Sequence, residues 1–304
     1  MSDPKRALIT GSQGQDGYYL SNFLKEKGYE VLGVDKDSKY DLLNSDSTAK
    51  LISDFKPDEI YNLAAFTHVG QSFKNPSECM KTNVYQATLL LETYIKLNES
   101  GRFFQASSSN IYDLKSPYSI SKHTIHKTVE MLRQKNNFFA VNGVLFNHES
   151  PKRASIFLPQ KVALSAACAK LKIATSKELN EEGEPLFLNG KVKLGSLDSV
   201  RDWGYAGDYV EAMWLMLQAK SPVDYEIATG EEHSVRELCE IAFNHVGLNY
   251  KDYTEIDQRF IRGGTDNIRK ADIKPIQIDL GWKARTKFRE LIGMMVDENI
   301  EKMK

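Results

Sequence analysis

Cysteine is scarce in this chain: Cys79, Cys168 and Cys239 are the only three in 304 residues. They lie too far apart for a disulfide framework or a metal-ligand spacing, so we read them as packed thiols and expect no metal. No stretch approaches the roughly 18 consecutive apolar residues that a membrane helix needs. The opening Met-Ser-Asp-Pro-Lys-Arg runs straight into Ala7-Leu-Ile-Thr10, without the apolar region of a signal peptide. A soluble, cytoplasmic protein is expected. An excess of either charge is missing too: 40 basic and 41 acidic side chains leave a net charge of -1. Nothing in that balance favours nucleic acid or an anionic membrane, which leaves a small molecule as the expected ligand. What is present, 41% apolar and 27% charged residues, is the composition of a globular protein long enough for one large domain or two ordinary ones.

The first half alternates short β-rich runs with helical patterns. Strands are expected at residues 6–10, 30–34, 59–63, 103–106 and 138–145, and helices at 18–27, 47–55, 81–100 and 117–136. Runs such as Ala7-Leu-Ile-Thr10 and Val141-Asn-Gly-Val-Leu145 are almost continuously apolar, as parallel strands covered on both faces must be. The fold class is therefore α/β, a doubly wound Rossmann sheet with a smaller α/β substrate domain. The expected division is 1–146 plus about 198–228 for the dinucleotide-binding domain, and about 147–197 plus 229–304 for the nucleotide-sugar domain. In the latter, Ser234-x-x-Glu237 reads as a capping box that starts a helix at Val235.

Directly after the first strand stands Gly11-Ser-Gln13-Gly14-Gln15-Asp16-Gly17. Glycines at that spacing permit a tight turn and let backbone approach a pyrophosphate at a helix N-terminus. Asp35, ending the second strand, is placed to accept hydrogen bonds from an adenosine ribose, which favours NAD over NADP; Lys36 behind it could partly tolerate a 2′-phosphate. Asp41 and Leu42 are expected near the adenine. Leu63, Ala64 and Ala65 offer small side chains where the cofactor backbone would pass, although mere packing explains them equally well.

Tyr118 and Lys122 are four residues apart, hence on one helix face. A lysine beside a phenol lowers the phenol's pKa and lets it take a proton from an alcohol. The run Ser107-Ser108-Ser109 after the fourth strand supplies hydroxyls for the substrate or the tyrosine. These elements together resemble the extended short-chain dehydrogenase/reductase superfamily. Longer segments, including Ser116-Pro-Tyr118, Asn147-His-Glu-Ser-Pro151, Arg201-Asp-Trp-Gly204 and Ile227-Ala-Thr-Gly230, resemble the GDP-mannose 4,6-dehydratase family within it.

The resemblance implies roles by position. Tyr118, Lys122 and Ser108 would be catalytic; Asn147, Lys161 and Arg262 would hold a substrate diphosphate; Arg201, with Gly195, would help hold the guanosine. Arg153 would lie near the cofactor and a neighbouring subunit. Asn83, Ser107, Leu145 and His148 complete the implied cofactor set, and Thr67 the substrate set. Three departures matter. Where the family carries a glutamate that removes the C5 proton and helps water leave from C6, this chain has Asn110, and an amide cannot take that proton. Asp113 is the nearby carboxylate. The segment between Tyr112 and Ser116 is shorter than in the family, and so is the one after the second strand, where Lys36-Asp37 replaces paired arginines.

The expected enzyme oxidises C4 of a GDP-linked mannose-type hexose or heptose with NAD and stops at the 4-ketone. Its alternatives are a true 4,6-dehydratase, a C4 epimerase, and a cofactor-binding scaffold without turnover. A homodimer or homotetramer is expected, through the helices at 81–100 and 117–136.

Overall fold

The computed structural model describes residues 3–261 and 269–304. They group into two compact units. The first unit opens with β1 (Arg6–Thr10), α1 (Gln15–Glu26), β2 (Glu30–Val34), α2 (Ser45–Phe55) and β3 (Glu59–Asn62). Short helices α3 (Val69–Lys74) and α4 (Pro76–Met80) follow, then a π-helical turn (Lys81–Gln86) that continues into α5 (Ala87–Leu97). β4 (Arg102–Ala106), a 3-10 turn (Ser109–Tyr112), α6 (Pro117–Asn136) and β5 (Phe139–Leu145) complete this stretch. The second unit then takes β6 (Asn147–Glu149), α7 (Leu158–Lys170), β7 (Phe187–Leu188), β8 (Lys191–Leu194), β9 (Val200–Arg201) and β10 (Trp203–Tyr205). α8 (Ala206–Gln218) and β11 (Tyr225–Ile227) return the chain to the first unit, β12 (His233–Ser234), α9 (Val235–His245) and β13 (Thr254–Ile256) to the second. α10 (Lys274–Leu280) belongs to the first unit and α11 (Phe288–Met303) to the second.

The first unit is built on a six-stranded sheet in the order β11-β5-β4-β3-β1-β2, with every pairing parallel. The chain runs from β1 out to β2 and then crosses to β3 on the other side of β1. The strand ends of β1 and β3 therefore form the switch point where doubly wound sheets hold their ligands. Among the described residues one strand, β2, lies beyond β1 in this sheet. Leu8, Val34, Leu51, Ile60, Leu90, Phe103 and Val129 fill the core under the helices.

Two features of this unit went unread in the sequence. β11 is too short to show a pattern, yet it closes the sheet edge beside β5. α10 joins the unit through Tyr225, whose hydroxyl donates to Asp279 at 2.9 Å. Residues 198–208, expected with this unit, group with the second one, where β9 pairs with β12 and β10 with β6.

The second unit packs α7, α9 and α11 around a core that includes Val162, Leu164, Phe187, Leu238, Phe243, Leu291 and Met295. A three-stranded sheet, β13-β8-β7, joins them. Ser234 caps α9 by accepting from the Glu237 N–H at 3.1 Å, but the Glu237 carboxylate pairs with His233 Nδ1 at 3.0 Å, so the expected reciprocal box is half formed. Among the described residues, no helix is long and apolar enough to cross a membrane.

Candidate active site

The glycine turn is built as its spacing predicts. Gly11 has φ +71, and a Cβ on it would sit 2.8 Å from the Ala64 backbone nitrogen, so β1 and β3 approach there as only glycine allows. A Cβ on Gly17 would lie 2.3 Å from the Gly11 carbonyl oxygen, which is why α1 can start so close beneath the turn. The N-cap of α1 is Gly14, and no side chain caps it. First-turn N–H groups at such an end attract an anion. Ala64 N donates to Thr10 Oγ1 at 3.2 Å, pinning residues 63–65 against β1.

Asp35 is turned into this loop. One of its oxygens, Oδ2, accepts from Ser12 Oγ and from the Gln13 N–H at 3.1 Å. Gln13 Nε2 in turn donates to both oxygens of Asp37, at 3.0 and 3.2 Å. Two carboxylates thus stand at the end of β2, where the sequence reading had considered one. Lys36 between them is exposed. Asp41 is exposed and caps its own turn through Leu43 N at 2.9 Å, whereas Leu42 is a core residue of the unit. Gln15 Nε2 contacts Asp16 Oδ1 at 3.2 Å.

α6 brings the catalytic candidates together. A reciprocal capping box starts it: Ser119 N donates to Ser116 Oγ and Ser116 N to Ser119 Oγ, each at 3.0 Å. Pro117 follows in the first turn, where a missing N–H costs nothing. Tyr118 and Lys122 then fall one turn apart, 8% and 3% exposed. The Tyr118 N–H donates to Ser72 Oγ at 3.2 Å, and Lys122 Nζ donates to the Ala106 carbonyl at 2.8 Å. Burial pushes the Lys122 ammonium down to about 8, with Cys79 and Asp16 acting against that fall. It stays mainly cationic at neutral pH, and the influence of Asp16 ties it electrically to the glycine turn.

Asn83 lies in the π-helical turn, an irregularity that often marks function. Its side chain bridges the Phe66 backbone, at 2.7 and 3.1 Å, to Ser121 Oγ at 2.9 Å. It thus braces the loop after β3 against α6. Thr67 in that loop is exposed.

At the end of β4, Ser107 and Ser108 are buried and Asn110 is exposed. Ser108 Oγ accepts from Asn110 N at 3.2 Å, so the serine caps the 3-10 turn that carries the amide. The Tyr112 hydroxyl donates to Glu226 at 2.8 Å. Leu145 ends β5 opposite Ile227. The first unit therefore gathers the glycine turn, Asp35, Asn83, Ser107, Ser108, Tyr118 and Lys122 at the strand ends of one sheet. These residues fit a dinucleotide: N–H groups for a pyrophosphate, a carboxylate for a ribose, a buried ammonium one helical turn from a buried tyrosine.

The other candidates belong to the second unit. Asn147 and His148 lie on β6, which pairs with β10. Lys161 Nζ donates to the Lys193 carbonyl at 2.7 Å and stands 4.6 Å over the Phe260 ring. Burial holds it down at about 8. A Cβ on Gly195 would come within 2.4 Å of the Phe260 carbonyl, so Lys161, Gly195 and Phe260 converge. Arg201 donates to the Val200 carbonyl at 2.6 Å. Its neighbour Asp202 ties down the Ala-Thr-Gly turn through Thr229 N, Thr229 Oγ1 and Gly230 N, at 2.7 to 3.0 Å. Arg153 pairs with Glu149 at 3.1 Å and stacks 3.6 Å from the Phe157 ring. Arg262 lies outside the described residues.

The sequence reading missed Ser72, Ser121, His126 and Phe260, and named Asp37 only as standing where the family has a paired arginine. Only His126 left a signal in the sequence, since it stands four residues beyond Lys122.

A parallel sheet with a glycine turn at its switch point, and a buried Tyr-x-x-x-Lys helix beside it, define a Rossmann-fold enzyme of the short-chain dehydrogenase/reductase type. The family model described as GDP-mannose 4,6 dehydratase matches residues 38–295. GDP-mannose 4,6 dehydratase 1 of Arabidopsis thaliana is 37% identical, with 98% of this chain and 90% of the relative covered. The human GDP-mannose 4,6 dehydratase is 35% identical over 100% of this chain and 94% of its own. Among solved structures, that of RMD from Pseudomonas aeruginosa complexed with NADPH superimposes with a TM-score of 0.83 at 20% identity, covering 98% of this chain and 99% of the other. The chain belongs to the GDP-mannose 4,6-dehydratase family.

Proposed function

We propose that this enzyme oxidises C4 of a GDP-linked mannose-type hexose or heptose and releases the 4-keto sugar. Asn110 supports the reading: oxidation at C4 needs a phenol and an ammonium, both retained, whereas dehydration needs a carboxylate where this chain has an amide. Tyr118 Oη takes the C4 hydroxyl proton as the carbonyl forms. Lys122, one helical turn away, supplies positive charge that favours the phenolate form. Ser108 donates a hydrogen bond to the alcohol or the phenol. A bound nicotinamide dinucleotide supplies the hydride acceptor. The glycine turn, Asp35, Asn83, Ser107 and Lys122 would hold it, and the paired carboxylates Asp35 and Asp37 favour NAD over a 2′-phosphorylated cofactor. Lys161, Asn147, Gly195 and Arg201 would serve the GDP end.

A specific observation favours a second reading, the 4,6-dehydratase: the relatives carry that name, and Asp113 stands three positions beyond Asn110. The two differ in redox balance. Dehydrogenation leaves one reduced nicotinamide per ketone, while dehydration returns its hydride and loses water. Incubation with GDP-mannose or a GDP-heptose and excess NAD in deuterated water separates them. We expect reduced nicotinamide to appear with a 4-ketone of otherwise intact mass, and Tyr118→Phe to abolish both. A product lighter by one water, with deuterium at C5, overturns the first reading in favour of the second.

The exposure of Phe73, Met80, Tyr85, Ile120 and Met131 on α6 and the helices packed against it supports a homodimer through this face.

A further inference from the structure

Ser107, His126 and Glu130 form a line of hydrogen bonds that starts at the end of β4, and the proposed function uses only its first member, Ser107. Ser107 Oγ lies 3.0 Å from His126 Nδ1, and His126 Nε2 lies 3.2 Å from Glu130 Oε1. Both Ser107 and His126 are buried, at 3% and 7% exposure. Tyr118, Lys122, His126 and Glu130 follow one another at four-residue steps, so they share one stripe of α6.

Asp224 completes a group whose ligand atoms all fall within 4.8 Å, as in a metal site. Its surroundings argue against a cation. Arg133 grips both Asp224 oxygens at 2.6 and 3.2 Å, and Asn142 donates to them from its backbone N–H at 2.7 Å and its side chain at 3.2 Å. A metal would have to evict a guanidinium. Lys127 neutralises Glu130 in the same way, at 2.7 Å. On the remaining side, Asn142 Nδ2 donates to the His126 carbonyl at 3.3 Å. Burial holds His126 below its ordinary pKa, with Asp224 and Glu130 working against that shift and Lys127 with it. A neutral imidazole satisfies both neighbours only with its proton on Nε2, donated to Glu130, so that Nδ1 accepts the Ser107 hydroxyl proton.

We propose that His126 is a positioning residue, which locks the Ser107 hydroxyl so that its oxygen meets the bound dinucleotide as an acceptor only, ready for an O–H or N–H donor of that ligand. The proposal rests on the assignment of the β4 end to the cofactor. Protonation would reverse the bond: Nδ1–H would donate to Ser107, and the serine proton would turn toward the ligand's donor, which would lose its acceptor. Cofactor affinity should therefore fall as pH drops through the His126 titration.

The test is the affinity of the intact protein for NAD, by fluorescence titration of the dinucleotide at a series of pH values, with KM and kcat measured in parallel. His126→Asn keeps an acceptor near the Nδ1 position and cannot titrate; it should bind within about threefold of the original at neutral pH and lose the acid-side decline. His126→Leu should weaken binding roughly fivefold to tenfold, the effect of one lost hydrogen bond, with kcat little changed. Adding Ser107→Ala to it should cost little more. An acid-side decline that persists in His126→Asn overturns the proposal, as does full multiplicativity of the His126→Leu and Ser107→Ala effects. If His126→Leu fails to fold, the His126→Asn profile still decides. Binding is read without turnover, so failure of this inference is distinguishable from failure of the C4 oxidation reading, which would show as binding without product.

Discussion

Asn110 is the residue on which the proposed C4 oxidation and its dehydratase alternative divide. It is exposed on the 3-10 turn capped by Ser108, so one added methylene has room there. Losing an acid/base group typically costs about 10²–10⁴-fold in rate. Restoring it should recover part of that factor for the dehydration step alone. Asn110→Glu is expected to yield a 6-deoxy-4-keto product with solvent deuterium at C5, at least tenfold above any trace in the original enzyme, and to lower the yield of reduced nicotinamide. Mass spectrometry of the product checks it, and an unchanged product mass would place the missing function elsewhere than residue 110.

At the scale of elements, α6 does most of the positioning. Its capping box sets where the helix begins, and that register decides that Tyr118, Lys122 and His126 all fall on its buried side. Ser116→Ala removes one half of the box, at a cost of about 1 kcal/mol. For a chain of this size the melting temperature should fall by roughly 2–4 °C, measurable by calorimetry. No change would mean that Ser119 and Pro117 suffice to start the helix. The π-helical turn at Lys81–Gln86 works alongside, because its irregular backbone sets Asn83 against both Phe66 and Ser121. A sequence pattern with ordinary helical periodicity does not announce such a turn.

On the scale of the whole molecule, the exposed aromatic and aliphatic side chains on and beside α6 are many for a surface left to water. Tyr85 is 54% exposed and Met131 51%. The double variant Tyr85→Glu, Met131→Glu places charge on that face without touching the buried site. It should run as a monomer in light scattering, against the dimer proposed for the original, with melting temperature changed by only a few degrees. A mass unaltered by the two charges would remove this face from the assembly.

The sequence by itself determined the β-α alternation, the glycine turn and the Tyr118–Lys122 pair, since each is local, written within one element or one turn. The segment-by-segment likeness determined the family. Tertiary structure alone decided that Leu42 is core, that Asp37 meets Gln13 of the glycine turn, and that α10 returns to the first unit while residues 198–208 leave it. It also decided that Ser107 meets His126 and that Asn83 meets Ser121. The physical reason is common to all of these: a contact between residues far apart in the chain depends on which strands lie side by side and where each helix begins, and no local pattern encodes that distance.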